Sequence, residues 1–366
     1  MKIAVLTSSR ADYSIYLPLL KKLQEDKDFD LSIIAFGTHL SKNHGYTINN
    51  IITDGFNVKF KVETMPDDDS PKSIAKSMGE TIKGFAEIWA TNPFDLVFAL
   101  GDRFEMFAAV ASTVPYNIKI AHIHGGETTL GAIDDAFRHS ITLMSHIHFA
   151  VAEDYKNRIV ELKGDNSDVY NVGSLSIDNQ KKLKLFDKAE FFERFKIDLD
   201  KPSILITFHP ETVSFEKNEE HVKETIKALH ELTKYQLIIT MPNADTMGNM
   251  VRDVLRNFIE THGNAVGVES FGTIGYLTAM NYCEFLLGNT SSGFVEASFF
   301  PKKVINLGDR QKGRIITPNI YNVSIIAEEI LTTVKRVELA TLPESISIYG
   351  VGNTAEKIVS IIKNLQ

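Results

Sequence analysis

The chain has 366 residues, of which 43% are hydrophobic and 23% are charged, and its formal net charge is −8. This composition is typical of a globular protein of about two domains, and it argues against a general affinity for nucleic acid or for anionic membranes. Cys283 is the only cysteine, which excludes an intrachain disulfide and a cysteine-based zinc site. No apolar run approaches membrane-spanning length, and the N-terminus does not resemble a signal peptide. We therefore expect a cytoplasmic protein.

Apolar, strand-like segments alternate with helical patterns through the first half of the sequence. The predicted strands are Lys2–Thr7, Leu31–Phe36, Val58–Val62, Leu96–Leu100, Ile118–Ile123, Ile147–Ala152 and Val169–Val172. Helices are predicted over Lys72–Trp89 and Glu105–Val114, among others. This alternation predicts right-handed βαβ units and a parallel sheet.

The segment from His122 to Phe149 has the pattern of a strand, a glycine turn and a helix. Gly125 and Gly126 interrupt the strand, and apolar residues then recur every three or four positions. Asp134 and Asp135 fall in the first turn of the predicted helix, where carboxylates also complement the helix dipole. Ligands bind at such positions in open parallel sheets. A functional and a structural interpretation of this segment are both open at this point.

A second alternating series follows a charged segment, in which Asp198–Pro202 is predicted to be a linker. Its predicted strands are Ile204–Phe208, Leu237–Thr240, Ala265–Val268, Glu284–Leu287 and Lys303–Leu307, and the chain closes with a helix from about Thr354 to Leu365. The two series predict an α/β protein with two Rossmann-like domains facing each other across a cleft, the first over residues 1–180 and the second over residues 200–350.

Polar residues follow several of the predicted strands, where a ligand in such a cleft would meet them. They are Ser8–Arg10, Gly101–Arg103, His122–Glu127, His209–Glu211, Gly288–Gly293 and Gly308–Arg310. The Gly288–Gly293 run, aided by Arg310 and Arg314, has the composition of a phosphate-binding helix start, but it is also an ordinary N-cap sequence. Considered alone, Asp102 is better explained as a helix cap, and His209 fits a phosphate donor and a structural histidine equally well.

Five of the eleven histidines lie between residues 122 and 148. His146 and His148 lie near the start of a predicted strand, and we expect them to face opposite ways and to pack in the core or in a turn. No two histidines of the segment share a helix at ligand spacing, so we expect no metal site.

Together these motifs resemble the hydrolysing UDP-N-acetylglucosamine 2-epimerases of sialic acid and related nonulosonate pathways. The resemblance rests on Arg10–Ser14, Gly101–Arg103, His122–Glu127, Ile133–His139, His209–Pro210, Gly288–Gly293 and Asn306–Arg314. It implies a glycosyltransferase-B type architecture, with a nucleotide-binding second domain and residues 351–366 as a helix packing back on the first. It also implies that UDP-N-acetylglucosamine and water give N-acetylmannosamine and UDP through 2-acetamidoglucal, without a metal or another cofactor.

The resemblance carries over roles residue by residue. Asp102 and Asp134 match catalytic carboxylates of the family, whereas His124 stands where most members have glutamate. We expect His124 to have taken over the acid–base task, the alternatives being that it passes to Glu127 or that His124 only packs the turn. The expected substrate-binding residues are Arg10, Arg103, Glu127, Arg138, His209, Phe271, Asn289, Ser291, Ser292, Glu296, Arg310 and Arg314.

Other functions fit the same motifs. A UDP-2,4-diacetamido-trideoxyhexose, as in the legionaminic acid route, would use the same mechanism, and no residue separates it from UDP-N-acetylglucosamine. Further alternatives are a non-hydrolysing epimerase, a glycosyltransferase on this fold and a catalytically silent nucleotide-sugar binder. The expected partners are a UDP-sugar and copies of the same chain, in a homodimer or homotetramer.

Overall fold

The chain forms two compact units. The computed structural model describes residues 1–66, 68–242, 245–342 and 346–365, apart from the side chain of Asn43. The first unit contains Met1–Glu127, Asp134–Lys181 and Ile348–Gln366, and the second contains Thr128–Ile133 and Lys182–Ser347. The chain thus passes between the units after Lys181, and the predicted linker Asp198–Pro202 lies inside the second unit. That expectation was wrong because Leu199 is an apolar residue buried in the core of this unit.

The first unit is built on a seven-stranded parallel sheet. Its strands are β1 (Lys2–Thr7), β2 (Asp30–Phe36), β3 (Val58–Val62), β4 (Leu96–Leu100), β5 (Ile120–Ile123), β6 (Ile147–Ala150) and β7 (Val169–Asn171). They are arranged in the order β3-β2-β1-β4-β5-β6-β7. The chain builds outward from β1 to β3 and then returns to place β4 beside β1. Ligands bind beside such a reversal of strand order in doubly wound sheets.

Helices cover both faces of this sheet. They are α1 (Arg10–Glu25), α2 (Ile48–Thr53), α3 (Pro71–Thr91), α4 (Phe104–Ala111), α5 (Asp134–Met144), α6 (Glu153–Lys163) and α7 (Leu175–Lys182). Every residue of β4 is buried, which explains its uninterrupted apolar sequence. Ser70 and Pro71 start α3, since the Ser70 hydroxyl accepts the Ser73 N–H and proline suits the first helical position.

The second unit repeats the architecture with six parallel strands. They are β8 (Ser203–Thr207), β9 (Gln236–Thr240), β10 (Ala265–Val268), β11 (Phe285–Gly288), β12 (Lys303–Leu307) and β13 (Ile320–Val323), in the order β10-β9-β8-β11-β12-β13. Its helices are α8 (Lys188–Phe195), α9 (Asn218–Glu231), α10 (Gly248–Thr261), α11 (Gly272–Tyr282), α12 (Glu296–Phe299) and α13 (Ala327–Leu339). Here the reversal of strand order lies between β8 and β11, so the loops after these strands are the counterpart of the first unit's loops.

The last helix, α14 (Thr354–Asn364), belongs to the first unit. Its N-terminus is held by Asp178 of α7, whose carboxylate accepts the N–H groups of Thr354 at 2.9 Å and Ala355 at 2.8 Å. Asp178 is completely buried. A carboxylate at this end satisfies unpaired helix donors and complements the dipole, so it fixes the position of α14.

Each predicted strand is present, with ends within two residues of the prediction. The predicted helix Glu105–Val114 is shorter, because α4 ends at Ala111 and a separate 3₁₀ turn covers Val114–Tyr116. Pro115 disfavours helical geometry in the residue before it. Strand β13 was not predicted, being four residues long and only partly buried. No helix in the described ranges is both long and apolar enough to cross a lipid bilayer.

Candidate active site

The glycine turn after β5 places a histidine and a glutamate in contact. His124 Nδ1 lies 2.6 Å from Glu127 Oε1, and both side chains are buried. A carboxylate only accepts hydrogen bonds, so in the neutral imidazole the proton is on Nδ1 and the lone pair is on Nε2. No described atom is hydrogen-bonded to His124 Nε2. The pair therefore has the arrangement of an oriented general base, in which a carboxylate fixes the tautomer and the other ring nitrogen can accept a proton.

Backbone strain accompanies this pair. His124 has φ 68°, in the left-handed region, which costs a non-glycine residue about 1–2 kcal/mol. Gly126 has φ 78°, and a Cβ there would lie 2.2 Å from the carbonyl oxygen of Tyr155, so only glycine fits. Strain held at a buried polar turn is a feature of functional sites, because packing alone does not require it.

Arg138 joins three parts of the first unit. Its buried guanidinium forms an ion pair with Asp102 at the end of β4, donates to the Glu127 carbonyl at 3.0 Å and reaches Asp135 at 3.4 Å. The interpretation of Asp102 as a helix cap is not supported, because α4 begins at Phe104 and the residue at its N-cap is Arg103. The Asp102 carboxylate is instead paired with this guanidinium.

Of the other histidines near the turn, His122 and His148 are buried, whereas His139 and His146 are at least partly exposed. His122 is fully buried, with Nε2 2.8 Å from the Gly101 carbonyl, and burial lowers its pKa to about 4. Burial also lowers the pKa of His148 to about 3, so both are neutral near pH 7. His146 is exposed just before β6, and His148 is buried within β6; that their side chains face opposite ways stays a prediction. His139 Nε2 lies 3.4 Å from Asp135 Oδ2.

Three further predicted residues lie at the same edge of the first sheet. Asp134 is the first residue of α5, and Arg10 is the first residue of α1. The Arg103 side chain is fixed by a bidentate ion pair with the buried Glu105, at 3.1 and 3.2 Å. The structure thus brings Asp102 and Glu127 each into contact with Arg138.

In the second unit, His209 and Asn289 are locked together. The Asn289 side chain accepts the His209 N–H at 2.7 Å and donates to the His209 carbonyl at 2.8 Å. Gln311 donates to the Asn289 carbonyl at 2.9 Å, so the loops after β8, β11 and β12 form one network. Asn289 therefore uses its side chain to position His209, and its proposed contact with substrate stays a prediction.

The serines after β11 lie at a short 3₁₀ turn, Ser291–Gly293, that precedes Glu296 at the start of α12. Ser291 is exposed, and Ser292 Oγ is 2.6 Å from the hydroxyl of Tyr276. Burial raises the pKa of Tyr276 to about 12, so this hydroxyl stays protonated and can donate. Sequence analysis did not single out Tyr276, because nothing in its surroundings resembles a motif.

The two arginines after β12 have partners within the unit. Arg310 donates to Asp245 at 3.0 Å and to the Pro210 carbonyl at 3.2 Å. Arg314 donates to Gln311 at 2.6 Å. A diphosphate at this edge would therefore share Arg310 with Asp245, a buried carboxylate that sequence analysis did not identify.

Phe271 is placed differently from an aromatic platform for a base. Its ring packs on Phe191 and Phe195 at centroid distances of 5.5 and 4.8 Å, within the hydrophobic core. Its backbone, in contrast, directly precedes α11. A role of Phe271 in substrate binding stays a prediction.

Sequence analysis also missed His39, a buried residue after β2. Its ring nitrogens lie 2.9 Å from Thr7 Oγ1 and 2.8 Å from Thr47 Oγ1. The neighbouring Asp12 carboxylate accepts the N–H groups of Ser8 and Ser9, which holds the loop after β1. The position of His39 in the loop that follows β2 was the available indication.

Comparison with known proteins gives one family. A family model described as UDP-N-acetylglucosamine 2-epimerase matches residues 21–363. The chain is 36% identical over 325 residues to the hydrolysing GDP/UDP-N,N′-diacetylbacillosamine 2-epimerase of Campylobacter jejuni, covering 88% of this chain and 84% of that protein. It is 31% identical to the hydrolysing UDP-N,N′-diacetylbacillosamine 2-epimerase of Legionella pneumophila, covering 100% and 96% of the two chains.

A solved structure shows the same fold. The UDP-GlcNAc 2-epimerase from Neisseria meningitidis, bound to UDP-GlcNAc, covers 100% of both chains with a TM-score of 0.83 at 19% identity. Together with the two parallel sheets, it confirms the predicted α/β fold with two Rossmann-like units of the glycosyltransferase-B type.

Proposed function

The chain belongs to the UDP-N-acetylglucosamine 2-epimerase family, and we propose from this that it is a hydrolysing 2-epimerase of a UDP-2,4-diacetamido-2,4,6-trideoxyhexose. Two of the bacterial relatives, 36% and 31% identical to this chain, are named for UDP-N,N′-diacetylbacillosamine, a sugar of this class. Sequence analysis placed UDP-N-acetylglucosamine first and the diacetamido sugar second. These relatives favour the opposite order, and we adopt it.

The oriented pair of Glu127 and His124 is the observation that carries the proposal for the chemistry. Removing the weakly acidic C2 proton of a nucleotide sugar needs a base positioned against it. His124 Nε2 is such a group, since Glu127 holds the opposite ring nitrogen at 2.6 Å and no described atom is bonded to Nε2. The histidine thereby replaces the glutamate expected for the family without loss of a proton acceptor.

The proposed reaction has two steps. In the first, the base takes the C2 proton, the C1–O bond to UDP breaks, and a 2-acetamidoglycal is left. In the second, water adds its hydroxyl at C1 while an acid returns a proton to C2 on the opposite face, giving the free sugar inverted at C2. We assign the proton transfers to His124, Asp102 and Asp134, with Glu127 and Arg138 as the groups that orient them.

The departing UDP gains negative charge, which donors on the second unit would stabilise. We propose His209, Ser291, Ser292, Arg310 and Arg314 for this task, because they follow the adjacent strands β8, β11 and β12. Binding would draw Arg310 from a purely internal pair with Asp245 toward the diphosphate.

Turnover of a small panel of UDP-sugars tests the proposal. The purified chain is incubated with UDP-N,N′-diacetylbacillosamine, UDP-N-acetylglucosamine or UDP-glucose, and released UDP and free sugar are followed by NMR. We expect kcat/KM to be highest for the diacetamido sugar and turnover of UDP-glucose to be absent. A preference for UDP-N-acetylglucosamine would overturn the substrate, and UDP-sugar epimers without release of UDP would overturn the hydrolysing reaction.

A further inference from the structure

Six residues between Glu127 and Asp134 are bound to the second unit. This segment, Thr128–Ile133, is called the strap here, and it belongs to the second unit although its neighbours on both sides belong to the first. The Leu130 N–H donates to the Lys312 carbonyl at 2.9 Å, and the Gly131 carbonyl accepts the Thr212 N–H at 3.1 Å. The strap is thus held by main-chain hydrogen bonds on both sides of its centre.

The Thr212 side chain adds a third attachment, because its Oγ1 accepts the Ile133 N–H at 2.9 Å. Packing leaves no room at the contact. A Cβ on Gly131 would lie 2.5 Å from the Asp309 carbonyl oxygen, and a Cβ on Gly313 would lie 2.5 Å from Thr128 Cγ2. The strap is therefore packed closely against these loops, so we expect a displacement of the loops to displace the strap as well.

Those loops are the ones to which we assign UDP. The strap contacts Thr212 after β8 and Asp309–Gly313 after β12, beside His209 and Arg310. At its two ends the strap continues directly into Glu127 and Asp134. The order along the chain is therefore Glu127, which orients His124, then the strap, and then Asp134, a proposed proton-transfer group.

We propose that the strap transmits the state of the nucleotide loops to Glu127 and Asp134, with Gly131 and Thr212 as its positioning residues. The inference rests on the proposed function for the assignment of the loops to UDP. Seating a diphosphate in them fixes the strap, and the fixed strap restricts the backbone positions of Glu127 and Asp134, which adjoin it in the chain. Misplacing a reacting group by about 1 Å costs about 100-fold in rate, so a short, tightly held connection is effective.

Thr212 offers a matched pair of variants. Thr212→Val keeps the shape but removes the oxygen that accepts the Ile133 N–H, whereas Thr212→Ser keeps that oxygen. We expect Thr212→Val to lower kcat by about tenfold or more while leaving the dissociation constant of UDP nearly unchanged. Thr212→Ser should retain most of kcat. Leu130→Ala is the control on the strap itself, because this side chain is 53% exposed and the variant keeps the backbone bonds.

Hydrogen–deuterium exchange measures the transmission without turnover. With UDP alone, wild-type protein should gain protection in residues 209–213 and 308–314 and also in residues 124–134. In Thr212→Val and Gly131→Ala, UDP should still protect the two loops but should protect residues 124–134 much less.

Two results would overturn the inference. One is UDP protection of the loops in wild-type protein with no change at residues 124–134. The other is Thr212→Val behaving like Thr212→Ser, or losing kcat only in proportion to thermal stability. Wild-type protein that shows the exchange pattern with UDP yet turns over no UDP-sugar would contradict the proposed function and leave the transmission supported.

Discussion

Replacing Glu127 by glutamine tests whether His124 is an oriented base. The carboxylate of Glu127 fixes the imidazole proton on Nδ1 through a buried contact of 2.6 Å. Glutamine has nearly the same shape, but it carries no charge and its amide can donate to Nδ1 instead. If it donates, the imidazole proton moves to Nε2 and the lone pair needed for proton abstraction is lost.

The expected loss follows from the role of the pair. A positioned general base contributes about 10²–10⁴ in rate, and a wrong tautomer removes that contribution. We therefore expect Glu127→Gln to lower kcat by about 10²–10⁴, equivalent to a barrier higher by about 2.7–5.4 kcal/mol. His124→Ala should cost a similar factor, and the double variant little more, because the two residues act as one unit. Initial rates of UDP release under saturating substrate measure all three.

Glu338→Gln is the control, because it also removes a carboxylate that accepts a neighbouring hydroxyl, that of Tyr235 at 2.7 Å, in the second unit. It should leave kcat unchanged. The reasoning is refuted if Glu127→Gln keeps kcat within about twofold, or if the effects of Glu127→Gln and His124→Ala multiply in the double variant.

Four further predictions concern single residues. Asp134→Asn should lower kcat by about 100-fold or more while stability and UDP affinity are retained. Asp102→Asn should lower kcat and also the free energy of unfolding, the latter by about 1.5–3 kcal/mol, because it weakens an ion pair to a buried arginine; urea titrations distinguish the two variants. Burial lowers the pKa of His148 from 6.5 to about 3, so the unfolded chain binds the proton first, and stability is full above pH 6.5 and falls as pH drops toward 3. His148→Leu should therefore reduce the loss of stability between pH 7 and pH 5 by about 2 kcal/mol in the same titrations, and an unchanged pH dependence would contradict this. Asp178→Ala should lower stability by about 2 kcal/mol and expose α14 to proteolysis, because two buried N–H groups lose their acceptor; resistance equal to wild type would argue against the cap.

The strands were predictable because each is a short apolar run bounded by glycine, proline or polar residues. β4 is an example, since all five of its residues are apolar and buried between Asp95 and Gly101. β13 was not predictable from its own sequence, because an edge strand of four partly exposed residues lacks this pattern.

The site was predictable as a set of positions but not as a set of contacts. Parallel strands bring their carboxyl ends to one edge, so Asp102 and the glycine turn could be placed together. The structure pairs Arg138 with Asp102, which is 36 residues away in the sequence. This pairing depends on side-chain packing, so it could not be predicted from sequence spacing. The contact of Arg310 with Asp245 spans 65 residues and was equally beyond sequence spacing.

His124 shows most clearly which contacts could not be predicted from the sequence. Its partner Glu127 is three residues away, yet their contact depends on a left-handed backbone at His124 and on Gly126. A left-handed backbone is uncommon at any non-glycine residue, so sequence spacing did not indicate this contact. The strap escaped sequence analysis for a related reason, since its attachment to Lys312 and Thr212 bridges residues far apart in the chain.

The most direct test of the central claim is one incubation of wild-type protein with UDP-N,N′-diacetylbacillosamine in ²H₂O, followed by ¹H and ³¹P NMR. The proposed mechanism predicts stoichiometric release of UDP and a free 2,4-diacetamido sugar that is inverted at C2 and carries one deuterium there, since the C2 proton is removed and replaced from solvent. Free sugar that keeps its original configuration and its C2 proton would show simple hydrolysis at C1, and it would contradict the assignment of His124, Asp102 and Asp134 to proton transfer at C2.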